Sequence, residues 1–361
     1  MIKLIHGADF HLDSPFSGLP PQQAALRRGE QRLLLEDLAQ LVREEQADLV
    51  LLSGDLLDSE QVYRETAQAL ARALGSIPCP VFIAPGNHDY YSDRSVYATL
   101  DWPENVHIFR SSQVEAVALS QLNCVVHGRA FTDIHQTSGP LDGLTVPRED
   151  GSLHLGCFHG EVALVSEYGP ITPSQIAASG LDYLALGHIH KFSGLNREGA
   201  TYWAYPGCPE GRGFDESGDK GVLVVELDAG KADARFVPLC RHRYESLSVD
   251  ITGQDPLTAI TAALPPNTRQ DIYRISLTGE GETPVLSALE GQLAHRFYAL
   301  SLRDRTRLPR DLWARREEDT LTGLFLRAMW EKIQSDPDNA TLQLAARFGL
   351  AALEHGEEEA P

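Results

Sequence analysis

Five predicted loops carry side chains of the types that bind metal ions, and this series constrains the fold more than any other feature. The apolar run at residues 48–53, DLVLLS, predicts a buried strand, and Gly54-Asp55 follow it directly. Similar apolar runs precede the other loops. Because α/β sheets commonly place sites at the carboxyl ends of their strands, we expect the five loops to meet. In chain order they carry Asp9-x-His11, Gly54-Asp55, Gly86-Asn87-His88-Asp89, His159-Gly160 and Gly187-His188-x-His190.

The residue types in these loops indicate the kind of ion. A single Asp or His after a strand is more often a helix cap or a turn residue, so one such loop says little. A series is more informative, because rigid strands hold all the side chains at one rim. Asp, Asn and His supply hard oxygen and borderline nitrogen donors, which suit Mn²⁺, Fe²⁺ or Zn²⁺ better than Mg²⁺ or Ca²⁺. The sequence therefore predicts a transition-metal site.

The spacing of the predicted strands divides the chain. Strand-loop-helix units in the first hundred residues predict an α/β layered core, and the closer strands that follow predict a second sheet. After about Tyr244 the pattern changes to β-α-β-α-β, followed by two predicted helices and an acidic tail. We therefore predict a first domain at residues 1–244, a small α/β domain at residues 245–316, and C-terminal helices with the tail at residues 317–361.

The loop series DxH, GD, GNHD, H and GHxH resembles the signature of calcineurin-like metallophosphoesterases. Two longer stretches, HGADFHLDSPF and YPGCPEGRGFDESGDKGVLVVEL, are similar to the SbcD-type DNA-repair exonucleases and most closely to their YhaO-type members. These motifs span residues 6–227. The resemblance implies a two-sheet β-sandwich flanked by helices, followed by a small capping domain that rests on the β-α-β-α-β pattern alone.

The resemblance also implies two divalent metal ions, with Mn²⁺ expected and Fe²⁺ or Zn²⁺ as alternatives. A pair of cations about 3.5–4 Å apart needs a shared carboxylate, which Asp55 would supply. A water bound to the metals would then attack the phosphorus of a DNA phosphodiester. The remaining ligands would form two sets: Asp9, His11 and His190 for one ion, and Asn87, His159 and His188 for the other.

Two residues beside the ligands have predicted catalytic roles. By the same resemblance, His88 would protonate the leaving alkoxide or contact the phosphate. Asp89 would orient the His88 ring by bonding to its second nitrogen. A helix cap is the alternative for Asp89. Nucleases of this branch often carry a His three residues after the bridging Asp, where this chain has Asp58. We interpret Asp58 as a helix cap, with a hydrogen-bond acceptor next to the site as the alternative.

The charge distribution bears on a DNA partner. The formal net charge of -20 argues at first against binding a polyanion. Residues 296–316 nevertheless contain seven Arg and two acids. If residues 298–307 are extended, alternate Arg side chains project from one face, where they would contact phosphates or form a solvated strand edge. The candidate DNA contacts are Arg303, Arg305 and Arg307, together with Arg129 and Arg212, for which structural salt bridges are the alternative.

The C-terminal helices raise the question of partners. Their apolar residues, which include Leu321, Leu324, Phe325, Ala328 and Met329, would close the core of the second domain or form a docking surface. SbcD-type nucleases work with a coiled-coil ATPase of the SbcC type, so the resemblance implies such a partner. The chain has no G-x-x-x-x-G-K-[ST] motif of its own. A homodimer is a further expectation, because nucleases of this family often dimerise.

We therefore expect a metal-dependent hydrolase that cleaves DNA. The alternatives are a small-molecule phosphodiesterase or phosphatase of the same fold, and a weakly catalytic subunit that binds DNA or an ATPase. No apolar run approaches the ~18 residues of a membrane span. Five scattered Cys without a C-x-x-C motif favour a reducing compartment, so we expect a cytoplasmic protein without a membrane partner.

Overall fold

The computed structural model describes residues 1–17, 19, 21–147, 151–281, 284–308, 310–337 and 339–358. The chain divides into two compact units, Met1–Arg243 and Tyr244–Pro361. The division falls one residue before the boundary predicted from the change of pattern.

The described part of the first unit is built on two mixed sheets with helices against them. Its helices are α1 (Pro21–Glu45), α2 (Arg64–Gly75), α3 (Val96–Thr99) and α4 (Pro173–Ala178). Its strands are β1 (Ile2–Gly7), β2 (Leu49–Leu52), β3 (Val81–Ile83), β4 (Val106–Ile108), β5 (Glu115–Leu119), β6 (Cys124–Gly128), β7 (Leu153–His159), β8 (Tyr183–Gly187), β9 (Asn196–Glu198), β10 (Thr201–Ala204), β11 (Gly221–Asp228) and β12 (Lys231–Pro238). The sheet orders are β12-β11-β1-β2-β3-β4 and β5-β6-β7-β8-β10-β9. This arrangement confirms the predicted two-sheet fold.

Strand β2 shows why the central strands read as continuous apolar runs. Leu49 and Leu51 belong to the core between the two sheets, whereas Val50 and Leu52 face the core beneath the helices. All four side chains are buried, because successive side chains of a strand point to opposite faces. The helices α1 and α2 cover the outer face of the first sheet with residues such as Leu38. Burial of each such Leu contributes about 1.5–3 kcal/mol relative to exposure.

The second unit begins with a β-α-β-α-β arrangement and ends in helices. Its elements are β13 (Tyr244–Asp250), α5 (Pro256–Ala263), β14 (Ile272–Thr278), α6 (Leu286–Leu293), β15 (Ala299–Asp304), α7 (Arg310–Ala314), α8 (Leu321–Ser335) and α9 (Ala340–Glu358), with short 3₁₀ turns at Ala294–Arg296 and Arg315–Glu317. The three strands are parallel in the order β13-β14-β15. Ile260, Ile275 and Leu302 are among the residues that form the core of this sheet and its helices.

The apolar face predicted for α8 is partly wrong, since Met329 and Phe325 belong to the observed face but Leu321, Leu324 and Ala328 do not. The helix buries Leu326, Met329 and Ile333, whereas Leu321 is 66% exposed and Leu324 is 56% exposed. Part of the acidic tail, predicted at residues 355–361, is helical, because α9 continues to Glu358; residues 359–361 lie outside the described range. Among the described helices, none combines the length and the apolarity that a membrane crossing requires.

Candidate metal centre

The loops predicted from the sequence meet where strands of both sheets end. Asp9 follows β1, Asp55 follows β2, and Asn87 follows β3 of the first sheet, whereas His159 ends β7 and His188 follows β8 of the second. Backbone hydrogen bonds join the first two loops. The Asp9 amide donates to the Gly54 carbonyl, and the His11 amide donates to the Asp55 carbonyl. Six of the seven predicted ligands therefore lie in two groups, and Asn87 lies beside one of them.

The first group consists of Asp9, His11 and His190. The His190 Nδ1–H donates to the Glu216 carboxylate at 2.7 Å, and His11 Nδ1 lies 3.2 Å from an oxygen of Asp58. A carboxylate beside each Nδ1 favours the tautomer that has its proton on Nδ1 and a lone pair on Nε2. The two Nε2 atoms, from His11 and His190, lie 3.1 Å apart. Two lone pairs this close repel each other unless a cation lies between them.

The second group consists of Asp55, His159 and His188, with Asn87 beside them. His159 Nδ1–H donates to the Ser53 carbonyl at 2.9 Å, so its Nε2 carries a lone pair. That Nε2 lies 2.9 Å from the Asn87 side-chain oxygen and 3.4 Å from a carboxylate oxygen of Asp55. His188 Nδ1 lies 3.3 Å from the same Asn87 oxygen. Oxygen and nitrogen acceptors therefore converge here, as they do around a metal ion.

Asp55 is the residue that joins the two groups. One carboxylate oxygen accepts the backbone N–H of His88 at 2.9 Å. The other lies 3.4 Å from His159 Nε2 and 3.8 Å from His11 Nε2, so one oxygen faces both groups. A carboxylate in this position is suited to bridge two cations.

The electrostatics of the region favour the forms that bind cations. Burial lowers the pKa of His11 to about 4, and burial with the neighbouring His159 lowers the pKa of His188 to about 4. Both imidazoles are therefore neutral at pH 7, which is the metal-binding form. Burial and the nearby Asp55 carboxylate raise the pKa of Asp9, a repulsion that positive charge would relieve. The donor set thus fits a pair of divalent cations.

Unusual backbone conformations place several of these side chains. Asp9, His11, Asp55 and His188 have φ values of 56°, 44°, 51° and 110°, all in the region that residues other than glycine rarely adopt. Gly86 is required for a different reason, because a Cβ there would overlap the Asp55 carboxylate. Such strain persists only where surrounding structure enforces it, and it concentrates at functional sites.

His88 lies at the exposed side of the centre. Its Nδ1–H donates to the backbone carbonyl of Asp58 at 2.9 Å, and its ring meets the His11 ring edge-on at a centroid distance of 4.7 Å. This contact leaves Nε2 as the ring nitrogen that can meet another group. Asp58, and not Asp89, therefore sets the orientation of this imidazole.

The predicted roles of Asp89 are wrong. Asp89 is 2% exposed, and His88 Nδ1 bonds to the Asp58 carbonyl and not to the Asp89 carboxylate. It does not cap a helix either, because Ser95 is the residue before α3. The carboxylate instead holds the loops after β2 and β3 together by accepting hydrogen bonds from the amides of Gly86, Asp55, Leu56 and Leu57 and from the Tyr97 hydroxyl.

The cap interpretation of Asp58 is also wrong, since α2 begins six residues later at Arg64. The backbone of Asp58 bonds to Leu12, and this pairing turns the carboxylate toward His11. The carboxylate accepts hydrogen bonds from Ser14 at 3.0 Å and from Arg212 at 2.9 Å. Asp58 is therefore a hydrogen-bond acceptor next to the site, which is the alternative that the sequence left open.

The two arginines predicted near the site differ. Arg129 is 6% exposed, and its guanidinium donates to the Ser138 carbonyl, so burial removes it from contact with a phosphate. Arg212 lies at the rim of the first group, where Asp58 and Glu216 hold its guanidinium at 2.9 Å each.

Sequence reasoning missed Glu216. Although burial opposes ionisation, hydrogen bonds from His190 and Arg212 lower the pKa of its carboxyl group. The carboxylate therefore fixes both a candidate ligand and the cation beside it. An acid inside the GRGFDESGDKG stretch was the available signal, since that stretch carries part of the family resemblance.

Comparison with known proteins agrees with this geometry. A family model described as "Calcineurin-like phosphoesterase" matches residues 2–192, which include all seven candidate ligands. The match supports the resemblance that the loop series shows.

Three curated relatives are similar over most of the chain. "Uncharacterized metallophosphoesterase YhaO" of Bacillus subtilis is 31% identical over 72% of this chain and 65% of its own length. A component of "Nuclease SbcCD" from the same organism is 23% identical over 64% of this chain and 67% of its own. "DNA double-strand break repair protein Mre11" of Methanopyrus kandleri is 21% identical over 70% of this chain and 60% of its own length. The chain thus spans about two thirds or less of the length of these relatives.

Proposed function

Because the chain belongs to the calcineurin-like phosphoesterase family, we propose that it is a metal-dependent phosphodiesterase that hydrolyses DNA. The observation that carries this proposal is the convergence of two acceptor groups on Asp55. The similarity to proteins named as a nuclease component and a DNA break repair protein supports DNA as the substrate. The mixture of imidazole nitrogens with carboxylate and amide oxygens suits transition-metal ions, and we propose two Mn²⁺ ions, with Fe²⁺ or Zn²⁺ as alternatives.

The residues of the chain divide the chemistry among them. When bound, two divalent cations acidify a coordinated water and neutralise charge on the phosphoryl oxygens. Asp55 would hold both cations, and Glu216 with Asp58 would favour the acceptor form of the ligand nitrogens in the first group. His88, held at Nδ1 by the Asp58 carbonyl, presents Nε2 to donate a proton to the leaving oxygen or a hydrogen bond to the phosphate.

The Arg segment of the second unit supports a polyanionic substrate. Arg303, Arg305 and Arg307 are exposed, whereas the residues between them are buried or half-buried. The three side chains line a cleft of about 690 Å³, together with Asp304 and with Arg347 of α9, which forms an ion pair with that carboxylate. A plain solvated strand edge has no such cleft. We propose that this cleft contacts the phosphate backbone of DNA.

Replacing Arg303, Arg305 and Arg307 together by Ala should weaken DNA binding at all sequences. The slope of log K against log[salt] should flatten by about 0.9 for each duplex phosphate contact that is lost. Fluorescence anisotropy in EDTA, which prevents cleavage, would measure both quantities. The matched control is Arg269→Ala, which removes an exposed Arg of the same unit that does not line the cleft. Equal slopes for the triple variant and the control would contradict the assignment.

The C-terminal helices support the proposal of an ATPase partner. Leu321, Leu324 and Phe348 are 66%, 56% and 67% exposed, although they are large and apolar. One relative is named as part of the nuclease SbcCD. We propose that a coiled-coil ATPase of the SbcC type covers this part of α8 and α9. Self-association stays a prediction, which sedimentation velocity would test.

An activity assay decides between the proposed function and its alternatives. Linear duplex DNA, single-stranded DNA and 4-nitrophenyl thymidine phosphate would each be incubated with the protein and Mn²⁺, Fe²⁺ or Zn²⁺. We expect cleavage of DNA. Hydrolysis of the small ester without cleavage of either DNA, with every metal tried, would establish a small-molecule phosphodiesterase instead. Metal binding without hydrolysis of any substrate would leave a protein that only binds DNA or an ATPase.

A further inference from the structure

An open cleft lies beside the metal centre in the first unit. Its volume is about 540 Å³, and Asn87 and His88 form part of its wall, so it is continuous with the place where the phosphate reacts. Small-molecule sites commonly fall between about 300 and 1,000 Å³, so the cleft is large enough for part of a substrate. The proposed function assigns no role to this space.

Part of the lining of the cleft is aromatic and apolar. Tyr90, Ile134 and Tyr168 line it. The Tyr168 ring is fixed in place, because it lies 4.9 Å from the His188 ring at an interplanar angle of 32°. Ile134 is 49% exposed, so an apolar side chain stands open to solvent beside a polar centre. A flat, weakly polar group would bury these surfaces.

The charges of the lining disfavour a phosphate in the part of the cleft that lies away from the metal centre. No Lys or Arg is found among the described residues that line the cleft. Of its two carboxylates, Asp58 is paired with Arg212, whereas Glu60 is exposed. The Ser92 hydroxyl donates to Glu60 at 3.4 Å, and the same carboxylate raises the pKa of the Tyr90 hydroxyl. Glu60 would repel a phosphate, yet it can accept hydrogen bonds from amino groups.

We propose that this cleft is a nucleobase subsite, which holds the base of a nucleotide next to the scissile phosphate between Tyr90, Tyr168 and Ile134. Bases combine a flat stacking face with an edge of amino and ring N–H donors, which matches the aromatic wall and Glu60. The inference rests on the proposed DNA phosphodiesterase function and adds a substrate requirement. Only an unstacked base fits, so single-stranded or frayed ends are preferred over paired ones.

Abasic substrates test the subsite. Short single-stranded oligonucleotides would carry one abasic unit in turn on either side of the cleaved phosphate, and kcat/KM would be compared with that of the intact oligonucleotide. We expect the wild type to lose about tenfold at one of these positions, as stacking of one base would supply. In Tyr90→Ala, the ratio of kcat/KM for the intact oligonucleotide to kcat/KM for the abasic one should fall close to one. Tyr90→Phe keeps the aromatic ring and should retain most of the wild-type ratio.

Because each ratio compares kcat/KM for two substrates of the same protein preparation, differences in folding or metal content between variants cancel. Ile134→Ala gives an independent second variant, with a smaller expected loss of preference, should Tyr90→Ala not fold. Equal cleavage of intact and abasic oligonucleotides by the wild type would overturn the subsite and leave the proposed function standing. Cleavage of neither oligonucleotide would overturn the proposed function, and the subsite with it.

Discussion

Replacing Asp55 by Asn should lower phosphodiesterase turnover by at least about 10³-fold, because one residue serves both metal groups. A single oxygen of this carboxylate lies 3.4 Å from His159 Nε2 and 3.8 Å from His11 Nε2. The Asn side chain keeps the size of Asp and one acceptor for the His88 amide, but it loses the negative charge. Both metal positions should therefore weaken together. Inductively coupled plasma mass spectrometry after dialysis would measure the loss, alongside kcat on DNA.

The matched control is Asp93→Asn, which makes the same chemical change at an exposed residue outside both groups. It should retain wild-type metal content and activity. Circular dichroism and thermal melting in EDTA would show whether Asp55→Asn still folds. A folded Asp55→Asn protein that keeps two equivalents of metal would contradict the bridging role, and loss of one equivalent would reduce Asp55 to a ligand of one ion.

The candidate ligands were predictable because local sequence reports them. His159 ends β7, a strand buried in the core, and the polar residue that ends such a strand lies at the rim of the sheet. The residues that hold the ligands in place were harder to predict. Arg212 reaches Asp58 across 154 positions of sequence, and Glu216 reaches His190 across 26. No local periodicity reports such contacts, so the sequence around Asp58 favours a cap.

The helices show a second limit of sequence patterns. In α1, Leu26 is 64% exposed, whereas Arg27 is 1% exposed because it pairs with the buried Glu210 at 2.6 Å. In α8, Gly323 is buried, since a side chain there would overlap the Glu318 carbonyl. A hydropathy pattern predicts that Leu is buried and that Arg or Gly is exposed. It therefore predicts the wrong buried face for a helix that is positioned by an ion pair or by close backbone packing.

Replacing His88 by Gln should reduce kcat on DNA by about 10²- to 10⁴-fold while both metal ions remain bound. The imidazole nitrogen Nδ1 is already occupied by the Asp58 carbonyl at 2.9 Å, and His88 belongs to neither group that contains Asp9 or Asp55. Gln can still donate a hydrogen bond but cannot deliver a proton. Metal content and kcat, measured on the same preparation, test the assignment directly.

The leaving group separates the two roles of His88. The alkoxide released from DNA needs a proton, whereas 4-nitrophenolate leaves without one. If His88 is the general acid, His88→Gln should show the full reduction of about 10²- to 10⁴-fold in kcat on DNA. On 4-nitrophenyl thymidine phosphate its kcat should fall by less than about tenfold. Equal losses on both substrates would indicate a phosphate contact. Because His88 also lies near His11 and Asp58 in a third group of metal-binding type, loss of metal from His88→Gln would make it a ligand and contradict both roles.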